Sequence, residues 1–512
     1  MIAVAKREIP YTVCDSDVLD HALGFVEGVS GDLVVRKKRD IAFGLRKENP
    51  QLKVAVDAFV MERILTAHAR ELQRVDFEGI QQRGSIRVLT TNDAVSYFLH
   101  KGQQRGFDYE LIRLFAKKHG LRVDVIVPPS SAELVPWLLQ GRGDVIAAMM
   151  PPDVPPHPEL AFSPPYLLVE EVLIQSSREQ RVMSVEQLRG RKIEVPGASA
   201  FWRTLNGLQK TAGPFILVTA PAGVEPPELV EKVAEGAVLS TVVSVPWSKA
   251  ALSGRFDVMA TLAVGSHEAA FATRADAPKL QQKLSDFVKQ HVHKRPDGRI
   301  AGSAEYNVLR TTYLEDTRRF DAARIALATP DRISKYDDVI KKYANMYGID
   351  WRLMAAQSYQ ESGFDPSARS WVGAVGLFQV MPATGAEMGF SDLKDPEQGV
   401  HAGIKYMAKL IDSFEKEVAF KQRVRFALAA YNAGRGHVED ARDLAASMKL
   451  DRNKWFGNVE KAMLLLEMPR YFRKARYGYC RGSEPVKYVS EIQSLYDNFT
   501  SVVAAPGAAV AP

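Results

Sequence analysis

Cysteine is nearly missing from this chain of 512 residues: Cys14 and Cys480 are the only two. So far apart, they offer no metal-ligand spacing, and two buried thiols are expected in preference to a bridge. Long apolar runs are missing too. None reaches the ~18 residues a membrane-spanning helix needs, so no such helix is expected. The first residues, MIAVAKREIPYTVCDSD, lack an apolar core followed by a small-residue cleavage site. Taken at face value, that spells a cytoplasmic protein. There is no HExxH and no cluster of histidines, so neither a metal nor a cofactor is expected. Charge of one sign is scarce as well. Lys and Arg number 67 against 61 Asp and Glu, interleaved almost everywhere. No basic stripe with aromatic residues stands out, which excludes nucleic acid as an expected partner.

What is present reads as a folded, multidomain protein: 46% hydrophobic and 25% charged, long enough for about three domains. An internal repeat comes first. Residues 4–13, VAKREIPYTV, resemble 233–242, VAEGAVLSTV, at an offset of 229; residues 41–60, IAFGLRKENPQLKVAVDAFV, resemble 269–288, AAFATRADAPKLQQKLSDFV, at an offset of 228. The second copy closes a unit that begins near Gly84. The first therefore reads as the tail of a similar unit whose front, about 140 residues, is missing. A signal peptide ahead of that front would be invisible, so the cytoplasmic reading carries little weight.

The unit after Gly84 alternates strand and helix. Strands are predicted at 86–90, 121–127, 144–149, 192–195 and 236–245, and helices at 107–119, 131–140 and 278–291. That order favours a parallel sheet with helices on both faces. GFDYELIRLFAKKHG (106–120), LLQGRGDVIAAMM (138–150), FSPPYL (162–167) and LRGRKIEV (188–195) resemble the family 3 periplasmic solute-binding proteins. The resemblance implies a two-lobed domain closing on a small ligand. Amino-acid binders of that family carry a Thr and an Arg after the strand at 144–149. Here PPDVPPHPELAFS has neither, which disfavours a plain amino acid and leaves a peptide or amino-acid-like ligand. By position, Tyr97, Phe107, Met149, Tyr166 and Ser199 are the candidate pocket residues, with packing as the competing explanation for each.

Strand signals then fade. A joining segment, 296–334, is expected to hold short helices near 306–313 and 317–328. From Tyr336 the periodicity is helical, at 336–347, 350–361, 382–388, 397–416, 421–432, 435–446, 457–464 and 485–498, with no convincing strand. One stretch is awkward. Trp351, Leu353, Met354, Ala355, Ala356 and Tyr359 leave a helix apolar on nearly every side, yet it ends in Glu361, and a buried carboxylate is costly unless paired or protonated. A loop rich in Gly and aromatic residues follows, through Trp371, Gly373, Gly376, Phe378 and Gln379 to Met381-Pro382. Further on stand AAYNAGRG (429–436) and YGYCRGSEPVKY (477–488). Singly, each has a bland reading as helix end, cap or helix-start charge.

Together and in order, YGIDWRLMAAQSYQES (347–362), GAVGLFQVMP (373–382), FALAAYNAGRGHVEDAR (426–442) and YGYCRGSEPVKYV (477–489) resemble the soluble-lytic-transglycosylase family. The resemblance implies a goose-lysozyme-like all-α domain, and the domain order is similar to that of the membrane-bound members with a family 3 solute-binding domain. It implies a lytic exotransglycosylase cleaving the MurNAc-β-1,4-GlcNAc bond of peptidoglycan with formation of a 1,6-anhydro end. The resemblance also assigns Glu361 the catalytic role. Ser370, Gln379, Met381, Tyr431, Asn432, Glu484 and Tyr488 would contact substrate, Glu484 as a second, supporting acid. Peptidoglycan strands would be the partner, in the periplasm and in possible association with the outer membrane. The residues agree with such chemistry in one respect: the strong motif holds a single acid where most glycosidases use two. A muramidase using water, a silent glycan-binding ligand sensor and a transport receptor remain as rivals. The expected organisation is a partial repeat at 1–78, a solute-binding domain at 80–295, a linker at 296–334, the catalytic domain at 335–500 and a disordered tail at 501–512.

Overall fold

The computed structural model describes residues 50–66, 71–100, 103–152, 157–197, 199–221, 223–252, 255–294, 300–315 and 332–502. The first repeat match, Cys14, the expected helix at 317–328 and all but the first two residues of the expected tail lie outside the described residues.

Helix α1 (Pro50–Leu65) opens at the proline that the repeat pairs with Pro278. The first lobe of the α/β domain follows: α2 (Phe77–Arg83), β1 (Ser85–Leu89), β2 (Phe98–His100), β3 (Gln103–Arg105), α3 (Phe107–Lys118), β4 (Arg122–Ile126), α4 (Leu134–Leu139), β5 (Val145–Ile146) and β6 (Leu160–Phe162). Strand β7 (Leu167–Ser176) then carries the chain into the second lobe. That lobe holds β8 (Lys192–Val195), α5 (Ala200–Ala212), β9 (Ile216–Thr219), α6 (Pro226–Glu235), β10 (Ser240–Ser244) and α7 (Val245–Ala251). The chain returns along β11 (Val258–Ala269) and completes the first lobe with β12 (Ala272–Arg274) and α8 (Pro278–His291). A hairpin of β13 (Val292–Lys294) and β14 (Ile300–Gly302) leads to α9 (Ala304–Arg310).

The first sheet has the order β4-β1-β5-β12-β6, with β1 parallel to β4 and β5, as the alternation predicts, and β12 antiparallel to its neighbours. The second lobe corrects the parallel expectation. Its main sheet, β10-β7-β11, is antiparallel, and only β8 and β9 pair in parallel. The reason lies in the two long strands that sequence periodicity missed. Leu167 and Val169 pack in the first lobe while Val172 and Ile174 pack in the second; β11 runs back from Val258 to Ala269. One strand leaves and the other returns, so they pair antiparallel.

The helical domain comprises α10 (Asp337–Met346), α11 (Trp351–Ser362), α12 (Pro382–Met388), α13 (Pro396–Asp412), α14 (Phe420–Ala433), α15 (Arg435–Ser447), α16 (Glu460–Leu465), α17 (Pro469–Phe472) and α18 (Ser483–Val502). Only α17, a single turn, escaped the periodicity. Helix α11 runs through the middle of the core. Trp351, Leu353, Met354, Ala355 and Ala356 are all buried, which accounts for its apolar circumference. Asp350 caps it by accepting from the Arg352 amide (2.9 Å) and also takes a hydrogen bond from the Tyr496 hydroxyl of α18 (2.8 Å). Arg352 in turn pairs with Asp350 (2.7 Å) and with Glu62 of α1 (2.9 Å), while Met61 and Leu65 of α1 join the same core. The start of α11 is thus pinned from both sides. Its C-terminal turn, which carries Glu361, inherits that fixed position. Cys480 is a buried thiol.

Candidate functional site

Glu361 occupies the last turn of α11, which Gly363 stops in the left-handed conformation (φ +62°). The residue is only half-buried, so solvent reaches it, yet its neighbours strip much of the water from the carboxyl. Burial raises its pKa to about 7, with the Tyr488 hydroxyl pulling the other way. Tyr488, on α18, donates to Glu361 Oε1 and accepts from the buried Gln357 amide (3.2 Å). One carboxyl oxygen is therefore held, and Oε2 is left to carry a proton. Tyr431, at the end of α14, donates to the Phe378 carbonyl (2.8 Å), and its own hydroxyl is kept neutral by burial and then by the charge of Glu361. Beside it, Asn432 is exposed. The residue before the acid, Gln360, donates to Glu491 of α18 (2.7 Å). Asp365, the other acid close by in sequence, is tied to Ser367 in a turn and stays an ordinary ionised carboxylate, its pKa lowered by that bond.

The loop between α11 and α12 is closed on itself. Val375 bridges Arg369 on one side and Val380 on the other. The Ser370 hydroxyl accepts from the Ala374 amide (3.0 Å). Gln379 takes a positive φ of 45°, rare for a side-chain-bearing residue, and its amide donates to the carbonyls of Ala368 (3.1 Å) and Gly376 (2.9 Å). Gly376 is obligatory: its φ is +80°, and a Cβ there would lie 2.0 Å from the Leu393 carbonyl oxygen. Ser358 and Ser362 of α11 both donate to the Leu377 carbonyl (3.1 and 2.9 Å), fastening the loop to the helix of Glu361. The result is a rigid wall beside the acid, with Trp371 (97% exposed) and Met381 projecting from it. Among the described residues no group of acids, histidines or cysteines could hold a metal ion.

A concavity of about 420 Å³ lies between the lobes of the α/β domain. Its first-lobe wall is built from the segments that follow β1, β4 and β5, the usual ligand position of a parallel sheet. Asp93, Ser96 and Met149 stand on that wall; Ser199, Glu225, Trp247 and His267 face them from the second lobe.

The family model for the transglycosylase SLT domain matches residues 338–455, and that for bacterial extracellular solute-binding proteins, family 3, matches residues 86–300. A curated relative from Desulfosudis oleivorans, named membrane-bound lytic murein transglycosylase F, is 33% identical over 82% of this chain and 90% of its own length. The chain belongs to the membrane-bound lytic murein transglycosylase F family. A relative of that name from Aeromonas hydrophila is 32% identical over 82% of this chain and 83% of its own, and one from Pseudomonas fluorescens 30% identical over 90% and 92%.

Within this transglycosylase F architecture the residues singled out from sequence fall into unequal groups. Glu361, Tyr488 and Tyr431 come together. Ser370 and Gln379 belong to the wall, with their polar groups used inside it, and Met381 projects from it. Glu484 sits one turn before Tyr488, exposed and paired with Arg481 (2.9 Å). In the α/β domain Met149 and Ser199 line the cleft. Phe107 and Tyr166 do not: both are 0% exposed in the first-lobe core, where aromatic packing absorbs them. Tyr97 faces a neighbouring cavity of about 280 Å³, together with Asp497 and Asn498 of α18. Sequence reading missed Asp93 and Glu225 as cleft residues. The signals were there in NDAVS (92–96), an acid poised to bind the next amides, and in EPPE (225–228), an acid ahead of a proline-led helix.

Proposed function

We propose that the chain is a peptidoglycan lytic transglycosylase that cleaves the MurNAc-β-1,4-GlcNAc bond, with Glu361 as sole general acid and base. Neutral Glu361 donates its Oε2 proton to the glycosidic oxygen, and the C1–O bond breaks. The N-acetyl carbonyl of the muramic acid covers the cationic carbon. The carboxylate then takes the proton of the sugar's own C6 hydroxyl, whose oxygen closes the 1,6-anhydro ring. Acid and base are one residue, so the group must be neutral first and ionised next. A half-exposed carboxyl whose pKa burial raises and which Tyr488 holds at one oxygen can do both, and this placement of Glu361 carries the proposal. Tyr488 supports the second state by donating to the carboxylate. Tyr431, Asn432, Met381 and the wall formed with Ser370 and Gln379 would hold the sugars and keep water out. Glu484 would act at the groove's edge.

The ligand-binding domain would regulate the groove through α18. That helix carries Tyr488 near one end, while Asn498 near the other hydrogen-bonds the Tyr97 hydroxyl of the first lobe. Arg122 of β4 adds a second tie, stacked 4.0 Å over Phe456 and 3.6 Å from Glu460. A peptidoglycan substrate fits a location in the periplasmic envelope, and outer-membrane association is a further proposal. No described helix is long and apolar enough to cross a membrane.

The test is Glu361→Gln, which keeps shape and hydrogen bonding but cannot cycle a proton. Folding and sacculus binding are expected to persist, and release of anhydro-muropeptides to fall by about 10²- to 10⁴-fold. Unchanged product yield would overturn the assignment.

A further inference from the structure

The loop between α11 and α12 breaks a rule at its tip. The Gly373 amide donates to the Ser370 carbonyl (3.0 Å), the Ser370 amide donates to the Ala374 carbonyl (2.9 Å), and Gly373 takes a φ of +95°. This is a tight hairpin turn with Trp371 and Val372 at its two corners. Such corners ordinarily go to Gly, Pro, Asn, Asp or Ser, which favour the bend. Here they are two large apolar residues that the fold does not use: Trp371 is 97% exposed and Val372 52%. Trp351 and Trp455 of the same domain are buried. The arm behind the tip is held fast. Val375 bridges both Arg369 and Val380, Ser358 and Ser362 of α11 tie down the Leu377 carbonyl, and the Phe378 carbonyl takes the Tyr431 hydroxyl. One short loop therefore touches the helix of Glu361 and the end of α14, and holds an indole out in solvent.

Three kinds of occupant cover exposed indoles: a membrane, a protein and a sugar. Tips that enter a membrane interface come with lysines and arginines that meet its anionic headgroups. Between Gly363 and Met381 the sequence has one base, Arg369, and one acid, Asp365. A protein partner needs about 800 Å² on each side, and the corners of a single turn supply a small part of that. A sugar ring needs only one aromatic face. Its C–H bonds meet the electron-rich face of the indole, while its hydroxyls stay in water. The substrate read for the helical domain is a polymer, so sugar rings continue past the bond that is cleaved. An aromatic plate on a fixed arm, on the same wall as Ser370, Gln379 and Met381, suits one of those rings.

We propose that Trp371 is a specificity-determining residue of the reaction: its indole stacks on one sugar ring of the bound glycan strand, outside the pair whose bond is cleaved. This deepens the proposed function and rests on reading the helical domain as a transglycosylase. The probe is peptide-free glycan strands, prepared by amidase treatment of sacculi, and the full chain is used throughout. Affinity is measured in the Glu361→Gln background, where strands are not consumed. Adding Trp371→Ala is expected to weaken binding by about tenfold or more, and Trp371→Tyr, which keeps an aromatic face, to recover most of the loss. With Glu361 present, Trp371→Ala should raise KM by a similar factor and change kcat by less than about threefold, the pattern of lost uniform binding. Exposed positions tolerate substitution, so these variants are expected to fold. Phe256, 89% exposed between α7 and β11, is the control, and Phe256→Ala should move neither quantity. Unchanged strand affinity in Trp371→Ala would overturn the proposal. So would an equal loss in Phe256→Ala, or a fall in kcat at constant KM. Binding to phosphatidylglycerol vesicles that Trp371→Ala abolishes, with strand affinity untouched, would also overturn it and make the tip a membrane contact. Muropeptide release that survives Glu361→Gln would instead count against the transglycosylase reading, so the two failures are told apart.

Discussion

Two carboxyls in this protein share nearly the same chemistry and differ in position. Glu361 in the helical domain and Asp108 in the α/β domain both have pKa values raised by burial to about 7. Each accepts from a tyrosine hydroxyl, Tyr488 for the one and Tyr166 for the other. Yet Asp108 is 0% exposed, walled in with Phe107, Tyr306 and Phe271 in the first-lobe core, while Glu361 is half-buried and open to solvent. A shifted pKa marks a site only where a substrate can reach the group. Asp108 shows what the same electrostatics look like when they serve structure: its carboxyl ties α3 to Tyr166, whose carbonyl receives the Tyr306 hydroxyl (2.7 Å).

The comparison can be broken most sharply by treating both acids alike. Glu361→Gln is expected to lower muropeptide release by about 10²- to 10⁴-fold, the span of general acid–base catalysis. Asp108→Asn is expected to leave it within about threefold once the folded fraction is matched, well under 1.4 kcal/mol of barrier. Equal losses in two folded variants would end the distinction. Next in size is Tyr488→Phe. The hydroxyl lowers the pKa that burial raises. Its removal should cut activity by about ten- to a hundredfold and move the descending limb of the pH–rate profile to higher pH. A limb that moves down, or stays, would contradict the assigned role. Stability gives a third, smaller handle. Both acids have folded-state pKa values above their unfolded ones, so the native state binds more protons between about pH 4 and 7. The stabilisation is complete below the unfolded values and is lost as pH rises through about 7, by up to about 1.4 kcal/mol per pH unit per fully shifted group. Melting temperature should fall from about pH 4 to 7, less steeply in Asp108→Asn, and with a weaker effect for Glu361→Gln because its open side is solvated. The smallest expected effect is Gln379→Ala. Freeing the loop clamp should raise KM about three- to tenfold with little change in pKa-dependent behaviour.

Legibility from sequence followed the same divide between what is local and what is assembled. The helices of the catalytic half announced themselves by period, because each packs one face on a shared core, and α11 by being apolar throughout. Glu361 stood out as the acid that such a helix should not contain. The loop wall could be seen as Gly-rich but not how Gln379 closes it, since that depends on carbonyls eleven and three residues away meeting one amide. In the α/β half the two crossing strands were missed because β11, VMATLAVGSHEA, mixes small and polar residues along its length. Without them the cleft floor could not be drawn. Aromatic residues then drew attention to Phe107 and Tyr166, which packing claims, and away from Asp93 and Glu225, whose meaning appears only when two lobes face each other.

The central claim is that Glu361 alone passes the proton and that the sugar's own C6 hydroxyl, not water, completes the reaction. Digestion of sacculi in heavy-oxygen water, followed by mass spectrometry of the released muropeptides, tests it directly. The account expects products lighter by one water than hydrolysed ends and free of heavy oxygen. Reducing ends carrying the label would contradict it and make the enzyme a hydrolase.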